Sequence, residues 1–240
     1  MAKRPGPIPC LCSKAFIFME SLLIGCLFFA YTAYSQSINS DNELNEAVDF
    51  AIQTLPANQL GLYNGRDYMP TTITAGGHPY FSTEEFAPET ITFHGITYRE
   101  IFLIFDASRQ SVVIEDHAGN KICPVEEKIE SFTVGVHTFK RLTDITGLDV
   151  GFYDVLVDGK LFARRSKSAR GMQWKSSTTY YFLNNDQLFQ VASKKSVLES
   201  MADKEEEIRH YIRLNKLSFN KKKETNLVEV VKFYSTLKQR

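Results

Sequence analysis

The sequence predicts an α+β protein that is mostly β: an antiparallel β-hairpin meander curled into a half-barrel or sandwich, with an N-terminal helix and two C-terminal amphipathic helices. Three observations carry that expectation. Turn-forming pairs recur at Asn64-Gly65, His94-Gly95, Ala118-Gly119, Asp158-Gly159 and Asn185-Asp186. Each is followed three positions later by a bulky residue, namely Tyr68, Tyr98, Ile122, Phe162 and Phe189. Helical spacing of apolar residues is confined to the two ends of the chain. Gly, Asn and Asp accept the positive φ of tight hairpin turns, and strand alternation then fixes the face that the large side chain occupies. The turns are unequally spaced, which argues against a strict-period propeller or solenoid.

At the N-terminus, Lys3, Arg4 and Lys14 precede an apolar run from Ala15 to Ala30 that ends near Ala33-Tyr34-Ser35. A basic head, a short apolar stretch and small residues before the cut mark an export leader, so residues 1–35 are expected to be a signal peptide cleaved after Ser35. Two alternatives stand beside this one. Leu23-Ile24-Gly25-Cys26 has the residue types of a lipoprotein signal with Cys26 acylated, although apolar Leu27-Phe28-Phe29-Ala30 follows where a hydrophilic tether belongs. An uncleaved anchor is the other, because Ala15 to Tyr34 nearly reaches the roughly 20 residues of a spanning helix, with Glu20 interrupting it at a cost of ~2.5 kcal/mol or more.

Residues 36–62 are expected to form a helix and linker. Ser40 and Glu43 have capping-box spacing, and Leu44, Ala47, Val48, Ala51, Ile52 and Leu55 recur at helical intervals until Pro56. Residues 63–192 form the β domain, with strands expected near 90–93, 97–105, 111–115, 121–123, 129–134, 137–142, 152–157, 161–165, 179–183 and 188–191. Ile101 to Phe105 is apolar at every position, which suggests a central strand covered on both sides, with a terminal helix as a candidate cover. Residues 193–240 form the helical segment. Ser196 and Glu199 have capping-box spacing before a helix carrying Val197, Met201, Ile208, Tyr211 and Ile212, and a last helix carries Leu227, Val230, Val231, Tyr234 and Leu237.

The chain has 28 basic and 28 acidic residues; the leader holds 3 and 1 of them, leaving 25 against 27. So even a balance gives no global pull toward nucleic acid, which is not expected as a partner. Cys10, Cys12 and Cys26 leave with the leader and Cys123 alone remains, so the fold must rest on its core. A chain of roughly 205 residues buries enough apolar surface to do so. Cys123, beside Ile122 and Pro124 with no His or Asp adjacent, is expected to be a buried small hydrophobe.

Leu62-Tyr63-Asn64-Gly65-Arg66-Asp67-Tyr68 and Gly77-His78-Pro79-Tyr80-Phe81 resemble segments of a group of uncharacterised exported envelope proteins of Bacteroidota-type bacteria. Phe93 to Tyr98, Gly151 to Lys160, Asp203 to Ile208 and Asn215-Lys216-Leu217 are similar to the same group. The resemblance implies a place in the cell envelope, periplasmic or outer-membrane-associated, and no known activity.

Catalytic patterns are sparse. His78, His94, His117, His137 and His210 form no HxH, HxxxH or HExxH unit, so a metal site needs His94, His117 and His137 brought together by three strands. There is no nucleophile elbow and no phosphate-loop or dinucleotide glycine pattern, so no cofactor is expected. The acid runs Glu84-Glu85, Glu126-Glu127 and Glu205-Glu206-Glu207 stand in hydrophilic contexts that suit a solvated face. The stretch from Arg164 to Lys175 is different. Arg164, Arg165, Lys167, Arg170 and Lys175 surround the single tryptophan, Trp174, with no acid among them, in a composition that suggests a loop. Such a loop could engage lipid headgroups, lipopolysaccharide phosphates or an acidic protein surface. The expectation is therefore a non-enzymatic exported binding or structural module that contacts another envelope component, with carriage of an apolar ligand in the curled sheet or an atypical hydrolase as alternatives.

Overall fold

The computed structural model describes residues 61–71, 76–220 and 222–239, together with Glu43, Glu46, Ala47 and Phe50, which are helical. The expected leader and the rest of the expected first helix lie outside the described residues. Among those described, no helix is long and apolar enough to cross a membrane.

Eleven strands make one antiparallel sheet: β1 (Arg66–Asp67), β2 (Ala87–Phe93), β3 (Ile96–Asp106), β4 (Ser111–Glu115), β5 (Lys121–Cys123), β6 (Ile129–Val134), β7 (His137–Leu142), β8 (Gly151–Val157), β9 (Leu161–Arg170), β10 (Gln173–Asn184) and β11 (Gln187–Gln190). Their order is β1-β5-β4-β3-β2-β6-β7-β8-β9-β10-β11. Two hairpin meanders, β2 to β5 and β6 to β11, thus run in opposite directions from a junction at the β2–β6 pair. The sheet is open, and its edges are the short strands β1 and β11, which limits the exposed backbone available for edge-to-edge pairing.

The expected turns close four of these hairpins. His94 and Gly95 (φ 52° and 78°) join β2 to β3, and Asn185 and Asp186 (φ 50° and 60°) join β10 to β11, both with the paired positive φ of a type I′ turn. Tyr98 and Phe162 are buried as expected, and Phe189 is half-buried against the helical layer. Asn64-Gly65 behaves differently: it leads into β1, whose partner is the distant β5. A Cβ on Gly65 would overlap the Cys123 carbonyl, so only glycine lets the two strands approach.

Ring contacts reveal the curl. Phe105 on β3 and Phe152 on β8 have centroids 6.2 Å apart, although four strand spacings separate them, about 19 Å in a flat sheet. Phe132 on β6 and Phe139 on β7 stack at 5.0 Å and bridge the two. The concave face is therefore filled with phenyl rings. On the other face of β3, Tyr68, Val113 and Cys123 cover Ile104, joined by Tyr80 and Phe86. The C-terminal helices are not that cover, since they pack on the β9–β10 hairpin, the expected N-terminal helix lies mostly outside the described residues, and Phe102 is half exposed.

Three helices, α1 (Lys194–Ser200), α2 (Glu205–Leu214) and α3 (Lys223–Lys238), close the C-terminal end of the described chain. The capping box lies three residues earlier than expected, at Ser193 and Ser196. The single helix expected to carry Val197 through Ile212 is interrupted by a 3-10 turn at Ala202–Lys204. Val197, Met201, Ile208, Ile212, Leu227, Val230, Val231 and Tyr234 then pack on Leu161, Ala163, Tyr180 and Phe182 of the β9–β10 hairpin.

Candidate functional site

The stretch expected to be a basic loop is strand. β9 and β10 pair from Leu161↔Phe182 out to Arg170↔Gln173, closed by Gly171 and Met172. Gly171, at φ 62°, holds the first central position of that two-residue turn, where a type II′ turn needs glycine. β8 accompanies β9 only as far as Ala163, and β11 accompanies β10 only from Tyr181. Beyond those points the hairpin runs on as a two-stranded ribbon from Arg165↔Thr178 to its tip, about 20 Å at strand rise.

Alternation sorts the six sequence-predicted residues onto two faces. Arg165, Lys167 and Trp174 share the inner face with Thr178, Ser176 and Ala169; Arg164, Arg170 and Lys175 share the outer face with Thr179, Gln173 and Ser168. They do not form one patch.

The inner face is engaged within the chain. A strap of residues 76–81 crosses it: Gly76 N donates to Met172 O at 2.8 Å, Trp174 N donates to Gly76 O at 3.1 Å, and Phe81 N donates to Phe105 O at 2.9 Å. Lys167 Nζ donates to His78 O at 3.1 Å, and its burial lowers its pKa. Lys167 N donates to Ala107 O at 3.2 Å, while Gln110 Nε2 donates to Arg165 O at 2.7 Å, tying β9 to the β3–β4 turn. Trp174 is half-buried here and does not sit at the tip.

Arg165 belongs to a buried polar network. Asp154 on β8 is 1 % exposed. Its Oδ2 accepts from Arg165 Nε at 2.9 Å, from Arg165 Nη2, and from His137 Nδ1 at 2.8 Å. An ionised carboxylate only accepts, which places the His137 proton on Nδ1. Arg165 Nη1 donates to Glu224 Oε2 at 2.7 Å, and Tyr180 OH donates to the same oxygen at 3.0 Å. Burial pushes the Glu224 pKa up, but the Arg165 and Tyr180 hydrogen bonds and the Arg165 charge outweigh it and hold the carboxyl below its ordinary value. Burial, followed by the Glu224 charge and hydrogen bond, pushes Tyr180 up to about 12. Glu224 lies in the first turn of α3, where the helix dipole favours an anion. The network thus fastens α3 to β8, β9 and β10, and Arg165 has its donors committed to protein carboxylates.

The outer face differs. Arg164 reaches Asp149 Oδ2 at 3.2 Å and the Tyr153 hydroxyl at 3.1 Å. Arg170 and Lys175 are exposed and make no ion pair among the described residues. They are diagonal neighbours across the ribbon, roughly 7–8 Å apart, with Ser168 and Gln173 opposite them. No acid occurs between Leu161 and Asn185. Met172, 82 % exposed, caps the tip.

The histidines are not brought together. β2 and β6 run antiparallel, so His94, after β2, and His137, after β6, lie at opposite ends of the sheet. His117, in the β4–β5 connection, lies at the His94 end. No group of three metal-ligating side chains occurs among the described residues. Cys123 is buried, and burial pushes its thiol pKa up, against the opposing pull of Arg66 and Arg109.

Asp154, Glu224 and the strap were not anticipated from the sequence. Comparison with known proteins finds no family model, no curated protein and no solved structure that matches this chain.

Proposed function

We propose that the protein is an exported, non-enzymatic envelope protein that binds an anionic envelope component through the outer face of the β9–β10 ribbon. The observation that carries this reading is the ribbon itself: an acid-free projection whose outer face bears two uncompensated cations, Arg170 and Lys175, among hydroxyl side chains. Like charges on diagonal positions of one strand pair repel each other, and an anion laid across them relieves that repulsion. The leader at residues 1–35 and the resemblance to exported envelope proteins support the compartment. Carriage of an apolar molecule on the concave face is disfavoured because Phe105, Phe132, Phe139 and Phe152 already fill it.

The test is cosedimentation of the purified protein with vesicles of phosphatidylglycerol and with lipopolysaccharide aggregates, phosphatidylcholine vesicles serving as control. Each cation near an anionic surface contributes about 1 kcal/mol, so R170S/K175S is expected to weaken binding by about 30-fold. Binding that is equal for wild type and double variant, or equal on both lipids, would remove this function from the ribbon.

A further inference from the structure

Two hollows of about 420 and 350 Å³ meet on the face of the sheet opposite the phenyl rings, and Arg66, Ser111 and Cys123 line both. Strand register makes the junction. Arg66 on β1 stands opposite Cys123 on β5, and Ser111 opens β4 across from Asp106 at the end of β3. Arg109, from the β3–β4 turn, lines the smaller hollow. Its guanidinium lies over the Tyr68 ring, 5.6 Å from the centroid, and its Nη1 donates to Met69 O at 2.6 Å. Tyr68 is in turn fixed by donating to Asp106 Oδ2 at 2.9 Å.

Neither arginine forms an ion pair among the described residues. The nearby acids do not neutralise them. Asp106 spends its oxygens on Tyr68, on Ser108 and on the Arg109 backbone N–H, and Asp67 alternates to the other face of β1 from Arg66. Burial raises the Cys123 pKa, while the hydrogen bond and charge of Arg66 and the charge of Arg109 lower it, so both cations act on the one sulfur at the junction. Ser111 is 7 % exposed, and the one bond of its hydroxyl runs 3.5 Å to Arg109 O. That length leaves a buried donor unsatisfied.

We propose that this junction binds the phosphate group of a small phosphate monoester, whose remainder occupies the larger hollow. Two guanidinium forks and a hydroxyl offer more donors than the two oxygens of a carboxylate take up, and a phosphate monoester presents three terminal oxygens. The larger hollow has a volume within the range of small-molecule sites. Glu126 and Glu127 border it and do not border the smaller one. They make no ion pair among the described residues, so they repel a second anion there and accept from hydroxyl or ammonium groups. The remainder is therefore rich in such donors, as in a hexosamine phosphate.

Isothermal titration calorimetry of the purified chain provides the test, with glucosamine 6-phosphate as the probe and glucosamine and inorganic phosphate as its two halves. The ester is expected to bind at one site, and each half at least about tenfold more weakly. R66Q and R109Q are each expected to weaken the ester about tenfold or more, through lost charge-assisted hydrogen bonds. R170S/K175S is expected to leave it unchanged, since the ribbon takes no part. Arg66 and Arg109 are both exposed, so the variants are expected to fold, which circular dichroism checks. The proposal is overturned by an ester that shows no saturable binding at millimolar concentration, or by a folded R66Q/R109Q variant that binds it as wild type does. Inorganic phosphate that binds as tightly as the ester, or binding lost in R170S/K175S, overturns it as well.

Discussion

At the residue scale the most constrained group is Asp154. It shares a strand face with Phe152 by alternation, so an acid enters a row of inward aromatic positions. A carboxylate there persists only when paired and hydrogen-bonded, and Arg165 with His137 supplies three donors to one oxygen. That signal was present in Phe152-Tyr153-Asp154, but nothing local names the partners, Arg165 on the next strand across the β8–β9 hairpin and His137 on the neighbouring β7. Glu224 supplies the pH dependence. Its folded pKa lies below the ordinary carboxylate value, so its contribution to stability is complete above that ordinary value, near 4.3, and drains away as pH falls through the folded value. E224Q is expected to cost about 2 kcal/mol at neutral pH and to flatten the acid limb of a denaturant-derived stability curve. Parallel curves for the two proteins from neutral pH to pH 3 would show that the carboxylate charge does not hold α3.

At the element scale, alternation made most strands legible. β4, β5, β6 and β7 lie at the expected residues, because each has a buried face and a turn at both ends. The distal ribbon was missed for a physical reason. Its inner face is covered by the strap through polar and backbone contacts, so Arg165, Lys167, Ser176 and Thr178 stand where apolar residues would ordinarily betray a strand. The α1–α2 break was missed similarly, since the apolar stripe from Val197 to Ile212 continues across the 3-10 turn. A two-stranded ribbon is marginal by itself in water, and this one is held from outside by a few bonds only, to the strap at Gly76 and His78 and to Ala107 and Gln110 of the β3–β4 turn. Amides of residues 166–177 are therefore expected to exchange with solvent at least about a hundredfold faster than those of β6 and β7, near the low-stability end of the molecule. Equal protection in a hydrogen-exchange experiment would mean that the ribbon has a further neighbour.

At the scale of the whole molecule, turns and strand composition led to a curled antiparallel meander, but not to the strand order, because no local signal says which hairpin series meets which. The β2–β6 junction turns two hairpin series into one surface, and β2 carries two irregularities, one between Glu89 and Ile91 in its pairing with β3 and one between Thr92 and Phe93 in its pairing with β6. Bulges increase local twist and bend the strand. The sheet consequently rolls until the β3–β4 turn meets β9, the strap spans the gap, and the ribbon is left projecting. The rings on the concave face report this rolling directly. Phe105 and Phe152 touch only because the strands between them wrap, and in a flat sheet their Cα atoms would lie about 19 Å apart. Nuclear Overhauser spectroscopy on protein labelled at phenylalanine rings is the decisive measurement: cross-peaks linking Phe105 with Phe132, Phe139 and Phe152 are expected, and a Phe105 ring that shows none to Phe139 or Phe152 would contradict the rolled sheet and the projecting ribbon with it.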